Sequence, residues 1–162
     1  MATYRTTRNL EASLVDHLQT EINKSWSGVT VQKSFARVYE LSLPVVCLRI
    51  NATTYEKAEV GDDNLIRTVQ AVIDIFGSDT GNILDLKDYI IASLKSGCVY
   101  SDYVTEKNGR VSSVKTHTAN GRIRILEISD NPINFDIDRD KLNVHDRFRW
   151  VITCQLSLGR IE

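Results

Sequence analysis

Leu10, Leu14, Leu18 and Ile22 recur every four residues, with Val15 beside them. That spacing lines one face of a helix and predicts an amphipathic helix from about Asn9 to Ser25. Asn9 or Thr7 is placed to cap its start, and Gly28 lies just past its end, where a helix stop is expected. Glu11, Asp16, Gln19 and Lys24 fall on the opposite face and are expected to meet water. From Val29 the period changes to two. Val29-Thr30-Val31 opens an extended run through Phe35, Val38 and Tyr39. Leu43 to Ile50 is continuous and apolar, with Pro44 where a strand start or sheet edge tolerates it. Leu65 to Phe76 alternates: Leu65, Val69, Ala71, Ile73 and Ile75 share one face, interrupted by Arg67. The polar stretch between these runs, Asn51 to Asn64, predicts an extended hairpin arm.

Gly77-Ser78-Asp79-Thr80-Gly81 breaks the alternation. Ser78 or Asp79 can cap a second helix reaching about Ser96, with Ile83, Leu86, Ile90 and Leu94 as its apolar stripe. Gly97 is its natural stop. Three strands follow, Cys98–Thr105, Arg110–Thr118 and Arg122–Ser129, separated by Asn108-Gly109 and Asn120-Gly121. Each Asn-Gly pair fits a tight hairpin turn, because both central residues must accept positive φ. The polar middle strand is expected to project or to lie at an edge. Asp130 to Asp146 reads as a long loop. Last comes the clearest strand, with Phe148, Trp150, Ile152, Cys154, Leu156 and Leu158 on one face and Arg147, Arg149, Thr153, Gln155 and Ser157 on the other.

This order predicts an α+β fold: a mainly antiparallel sheet covered on one face by two amphipathic helices, with projecting β-hairpins. With 162 residues, no internal repeat and no composition break, the expectation is a single domain over 1–162. The 20 basic and 21 acidic residues nearly cancel, so no global charge excess points to nucleic acid. No apolar run approaches the roughly 20 residues that span a bilayer. Met1-Ala2-Thr3-Tyr4-Arg5 lacks the apolar core of a signal peptide, which predicts folding in the cytosol. Cys47, Cys98 and Cys154 are widely spaced, fitting free thiols in a reducing compartment.

Several groups in the sequence bear on chemistry. Asp136, Asp138 and Asp140 alternate like the start of a calcium loop, but Lys141 and Arg147 stand where that loop needs glycine and glutamate. A solvated loop balanced by Arg139, Lys141 and Arg147 is the plainer reading. Asp62-Asp63 suits a metal-dependent nuclease or, more simply, a polar turn. His17, His117 and His145 carry no metal-ligand spacing, and no nucleophile sits in a G-x-S-x-G elbow. Residues 77–81 precede a helix, where phosphate can bind, yet lack the P-loop lysine and spacing. Arg122, Arg124, Arg147 and Arg149 would form a basic stripe if the two late strands pair. Such a stripe could meet phosphates or the acidic groups of a neighbouring subunit. No catalytic, cofactor-binding or metal-binding residue is assigned, and no cofactor is expected.

Taken together, the layout resembles the bacteriophage tail terminator and neck proteins. The likeness rests on the helix Asn9–Ser25, on Arg37-Val38-Tyr39 with Pro44 to Ile50, on the strand Val69 to Gly77 with the helix Leu84–Leu94, and on the β-rich final half. It implies a non-enzymatic virion protein that forms a ring, typically a hexamer. The ring would cap the tail tube and join it to the head connector, with genome DNA passing through it. Its partners would be copies of itself, the tail tube protein and the connector or neck proteins. It would assemble in the host cytoplasm, with no membrane partner. The polar stretch Ser101–Thr118 has no place in that pattern. The competing expectations are a nucleic-acid-binding adaptor using the four arginines and a metal-dependent nuclease or hydrolase using Asp136, Asp138 and Asp140.

Overall fold

The computed structural model describes residues 5–33, 35, 37–61, 63, 65–103, 117–135 and 137–158. Along the chain run α1 (Thr6–Asn23), β1 (Thr30–Gln32), β2 (Val45–Lys57), β3 (Leu65–Phe76), α2 (Thr80–Leu94), β4 (Cys98–Tyr103), β5 (His117–Ile133) and β6 (Arg149–Leu158). The strands form one curled six-stranded sheet in the order β1-β2-β3-β6-β5-β4. Every neighbouring pair is antiparallel except β1 with β2. The fold is therefore α+β, as the alternating periods predict.

The core follows from those periods. Leu10, Leu14, Leu18 and Ile22 of α1 and Ile83, Leu86, Ile90 and Leu94 of α2 are buried. They meet one face of the sheet: Val46 and Leu48, then Val69, Ala71, Ile73 and Ile75, then Ile152, Cys154, Leu156 and Leu158. Each such aliphatic side chain removed from water contributes about 1.5–3 kcal/mol. The Tyr89 hydroxyl donates to the Glu21 carbonyl at 2.6 Å, tying α2 to α1. Gly97 ends α2 at φ 72°, and a β-carbon there would overlap the Ile123 carbonyl oxygen of β5. Both the left-handed backbone and the close approach require glycine.

Helix α1 also closes the sheet at both ends. At β4 the Ser101 amide donates to Ser13 Oγ at 3.0 Å and the Tyr103 amide to Asn9 Oδ1 at 3.4 Å. At β1 the Val31 amide donates to Gln19 Oε1 at 3.0 Å, while Gln19 Nε2 donates to the Val29 carbonyl at 3.1 Å. Asn9 and Ser13 flank one side of the Leu10–Ile22 stripe and Gln19 flanks the other. One helix thus satisfies backbone groups on both outermost strands, which would otherwise be open to pairing.

That closure is partial. Strand β1 covers β2 only at Val45–Cys47, and β4 meets β5 only between His117 and Ile123. Among the described residues, β2 beyond Cys47 and β5 beyond Ile123 have no strand on their outer sides. The β2–β3 hairpin runs past β1 as an arm, pairing Lys57 with Leu65, and carries Val60 fully exposed near its tip.

Several expectations need correction. Asn120-Gly121 is no hairpin turn: both residues lie inside β5, with Gly121 at φ 119°. β5 also absorbs Asp130–Ile133, and the rest of the expected loop holds short 3-10 turns at Arg139–Lys141 and Val144–Asp146. Val38-Tyr39-Glu40 forms a 3-10 turn rather than a strand, because Arg37 adopts φ 83° and reverses the chain. Helix α1 begins at Thr6 without a side-chain cap, so Thr7 and Asn9 are interior residues and Asn9 serves β4 instead. Asn108-Gly109 and most of the expected strand Arg110–Thr118 lie outside the described residues.

Candidate functional site

On the face of the sheet away from the helices, strand register brings charges together. Cys47, Asp74 and Val151 stand in one row across β2, β3 and β6, and Phe76 lies opposite both Val45 and Arg149. Asp74 is only 2% exposed. Its carboxylate lies 3.4 Å from Arg49 Nε and 3.6 Å from an Arg149 terminal nitrogen. Arg149 reaches further, to Asp146 at 3.3 Å. The Tyr39 hydroxyl donates to the same Asp146 oxygen at 3.0 Å. Burial pushes the Asp74 carboxyl up, and the two guanidiniums oppose that rise.

Aromatic rings enclose the cluster. The Arg149 guanidinium carbon lies 4.6 Å from the Phe76 ring centre and 5.9 Å from those of Phe35 and Phe135. Arg49 lies 5.3 Å from Phe35. A guanidinium among ring faces is attracted by their quadrupoles, the more so when desolvated. His145 is buried, with Nε2 2.8 Å from the Leu41 carbonyl. These contacts clasp the segments around Val38–Glu40 and 137–148 onto the sheet. The ion pairs of Asp74 and Asp146 with Arg49 and Arg149 join these segments into a clasp.

A second concavity of about 410 Å3 lies between α1 and β4, lined in part by Asp16, His17, Tyr103 and His117. The Tyr103 hydroxyl donates to Asp16 at 2.7 Å, and burial pushes its phenol up. His17 Nε2 is 2.9 Å from the Ser93 carbonyl, and the His117 ring lies 5.1 Å from that of Tyr103. These groups hold α1, α2 and the end of the sheet together.

The candidates named from sequence are placed as follows. Asp136 and Asp62 lie outside the described residues. Asp138 pairs with Lys141 at 3.5 Å, Asp140 is exposed, and Asp63 faces Lys57 at 3.8 Å. Among the described residues no group of three His, Cys, Asp or Glu is placed to hold a metal ion. At the start of α2, Asp79 Oδ1 accepts the Asn82 amide at 2.8 Å and Asn82 Oδ1 accepts the Ser78 amide at 3.2 Å, so residues 77–81 serve the capping that Asp79 suggests.

The four arginines do not form one stripe. β5 and β6 do pair, but Arg124 stands opposite Ser157 whereas Arg149 stands opposite Ile133. Antiparallel register puts those rows at opposite ends of the strands, roughly 26 Å apart at about 3.3 Å per residue. Arg122 donates to the Ser96 carbonyl at 2.6 Å, and Arg147 precedes β6 and reaches the Leu142 carbonyl at 3.4 Å. The three cysteines are buried, and burial pushes their thiols up, Cys47 to about 11 and Cys98 and Cys154 to about 12.

Sequence reasoning missed Asp74 as the centre of the clasp. A carboxylate inside the apolar run Val69–Phe76 was the available signal, since buried charges are rare unless paired. Its partners needed strand register, which periodicity does not supply. No helix among the described residues is long and apolar enough to cross a membrane. The sequence matches no protein-family model, and no curated protein resembles it closely enough to count as a match.

Proposed function

We propose that this chain is a structural subunit of a bacteriophage tail, a terminator or neck protein that forms a ring on the end of the tail tube and joins it to the head connector. The observation that carries the reading is the β2–β3 arm. It runs past β1 and leaves Tyr55, Val60 and Ile66 exposed, away from the core. An arm with apolar side chains and an open backbone edge serves contact with another chain better than it serves the stability of its own domain. The element order α-β-β-β-α-β-β-β keeps the expected alternation of helices and strand runs, although Arg37-Val38-Tyr39, part of the layout on which the resemblance rests, is a turn and not a strand. The charged groups near the sheet are tied to one another, and the arginines proposed for a nucleic-acid stripe lie at opposite ends of β5 and β6. Function in this reading is geometry and binding, with no bond chemistry.

The test is direct. Purified protein is added to tail tubes assembled from the tube protein, and the tube ends are imaged. The reading expects a ring at one end of each tube and an arrest of further elongation. Bare ends and unchanged elongation at protein in excess over tube ends would overturn it.

A further inference from the structure

We infer that copies of this chain join edge to edge, the outer edge of β5 over Glu127–Ile133 in one copy pairing antiparallel with the outer edge of β2 over Thr53–Lys57 in the next. The two segments are where the closure by α1 stops. Gln19 serves β1, and Asn9 and Ser13 serve β4. Beyond them, on opposite sides of the same sheet, β2 and β5 have no outer neighbour among the described residues. Each segment is a straight run past a register irregularity, at Ile50/Thr53 in β2 and at Ile125/Glu127 in β5. Bulges end one stretch of pairing and begin another.

Polarity selects the occupant. The antiparallel pairs β2–β3, β3–β6 and β6–β5 make β2 and β5 run in opposite directions within one sheet. The open segment of β2 lies at the Ser157 end of β6 and that of β5 at its Arg149 end, so two copies in the same orientation, offset along the strands by roughly 20 Å at about 3.3 Å per residue, bring β5 of one against β2 of the other antiparallel. A second copy uses both open edges at once and leaves each interior copy with none, whereas a foreign strand fills one and leaves the other exposed. The contact is heterologous, one surface meeting a different surface, and repeats into a closed ring when its rotation closes. On the face away from the helices, Thr54 would then neighbour one of Glu127, Ser129 or Asn131. Thr54 pairs with Thr68, and those three with Gln155, Thr153 and Val151, all on that face by alternation from the buried Val69 and Cys154. The inference deepens the ring reading and rests on its self-association, not on its tail-tube partner.

Engineered cysteines test it, since Cys47, Cys98 and Cys154 are buried and stay silent in the folded protein. Thr54→Cys is combined in turn with Glu127→Cys, Ser129→Cys and Asn131→Cys, all four positions being exposed. Each single variant is the control, and folding is checked by circular dichroism before mild oxidation. The expected result is a ladder of covalent oligomers, with loss of the monomer band, in at least one double variant and monomers in every single variant. Dimers from single variants in equal yield would overturn the pairing in favour of like edges meeting. No ladder in any double variant would overturn it too. If the wild type still caps tail tubes in that case, the ring reading stands and its contact lies elsewhere on the surface.

Discussion

The sheet has two kinds of edge, and they are treated differently. At β4 and β1, the side chains of α1 stand where another strand would, so Ser101, Tyr103 and Val31 donate their amides inward to the protein's own helix. At Thr53–Lys57 and Glu127–Ile133 no helix or strand does the same among the described residues, and most side chains there are exposed. The sealed edges belong to the stability of one copy. The open edges contribute little to that stability, and selection for assembly can act on them separately. Substitutions in the two regions should therefore separate folding from association.

The largest effect is expected inside the seam. Leu14 of α1 is buried, and Leu14→Ala should lower stability by about 2–5 kcal/mol, measured by urea unfolding. Next comes the clasp. Arg149→Ala removes one of two guanidiniums from the buried Asp74 and empties the space between Phe35, Phe76 and Phe135. A loss of about 3 kcal/mol is expected, held down because Arg49 remains. A loss under about 0.5 kcal/mol, the range of ordinary surface changes, would show that the clasp is incidental.

Ser13→Ala tests the sealed edge itself. It leaves the buried Ser101 amide without its acceptor, so stability should fall by about 1–3 kcal/mol. Hydrogen exchange at the Ser101 amide should quicken more than at core amides such as Ile73. Alkaline pH gives a smaller, graded effect. Folding lifts the three thiols from 9.0 to about 11 and about 12, so the native state keeps protons that the unfolded chain releases. Stability from these groups is full below about pH 9 and is lost as pH rises toward 11 and 12. Urea midpoints across that range should fall, and more gently in Cys98→Ala than in the wild type. At the bottom of the scale, Thr54→Lys on the open edge should change stability by less than about 0.5 kcal/mol while weakening self-association.

How much of this was legible beforehand depends on the kind of signal. Leu10 to Ile22, Leu65 to Phe76 and Phe148 to Leu158 announce their elements, because burial of one face repeats with the period of the backbone. Gly97 and Asp79 mark the limits of α2 as their chemistry suggests. Asn120-Gly121 misled because a tight turn and a positive-φ glycine inside a long strand look alike locally, and pairing with β4 on either side, through Ala119 and Arg122, decides between them. Asn9 reads as a cap and Gln19 as a surface group, and Ser13 carries no sequence signal, since their acceptor and donor roles toward β4 and β1 depend on how the sheet curls. The arginine stripe failed for the same reason, as adjacency in strands is not adjacency in register.

The most direct measurement is the mass of the wild-type particle in solution, by light scattering from low to high concentration, alone and with tail tubes. The account predicts a discrete closed oligomer, present alone or appearing when tubes are added. A strict monomer under every condition, with no association with tubes, would contradict it.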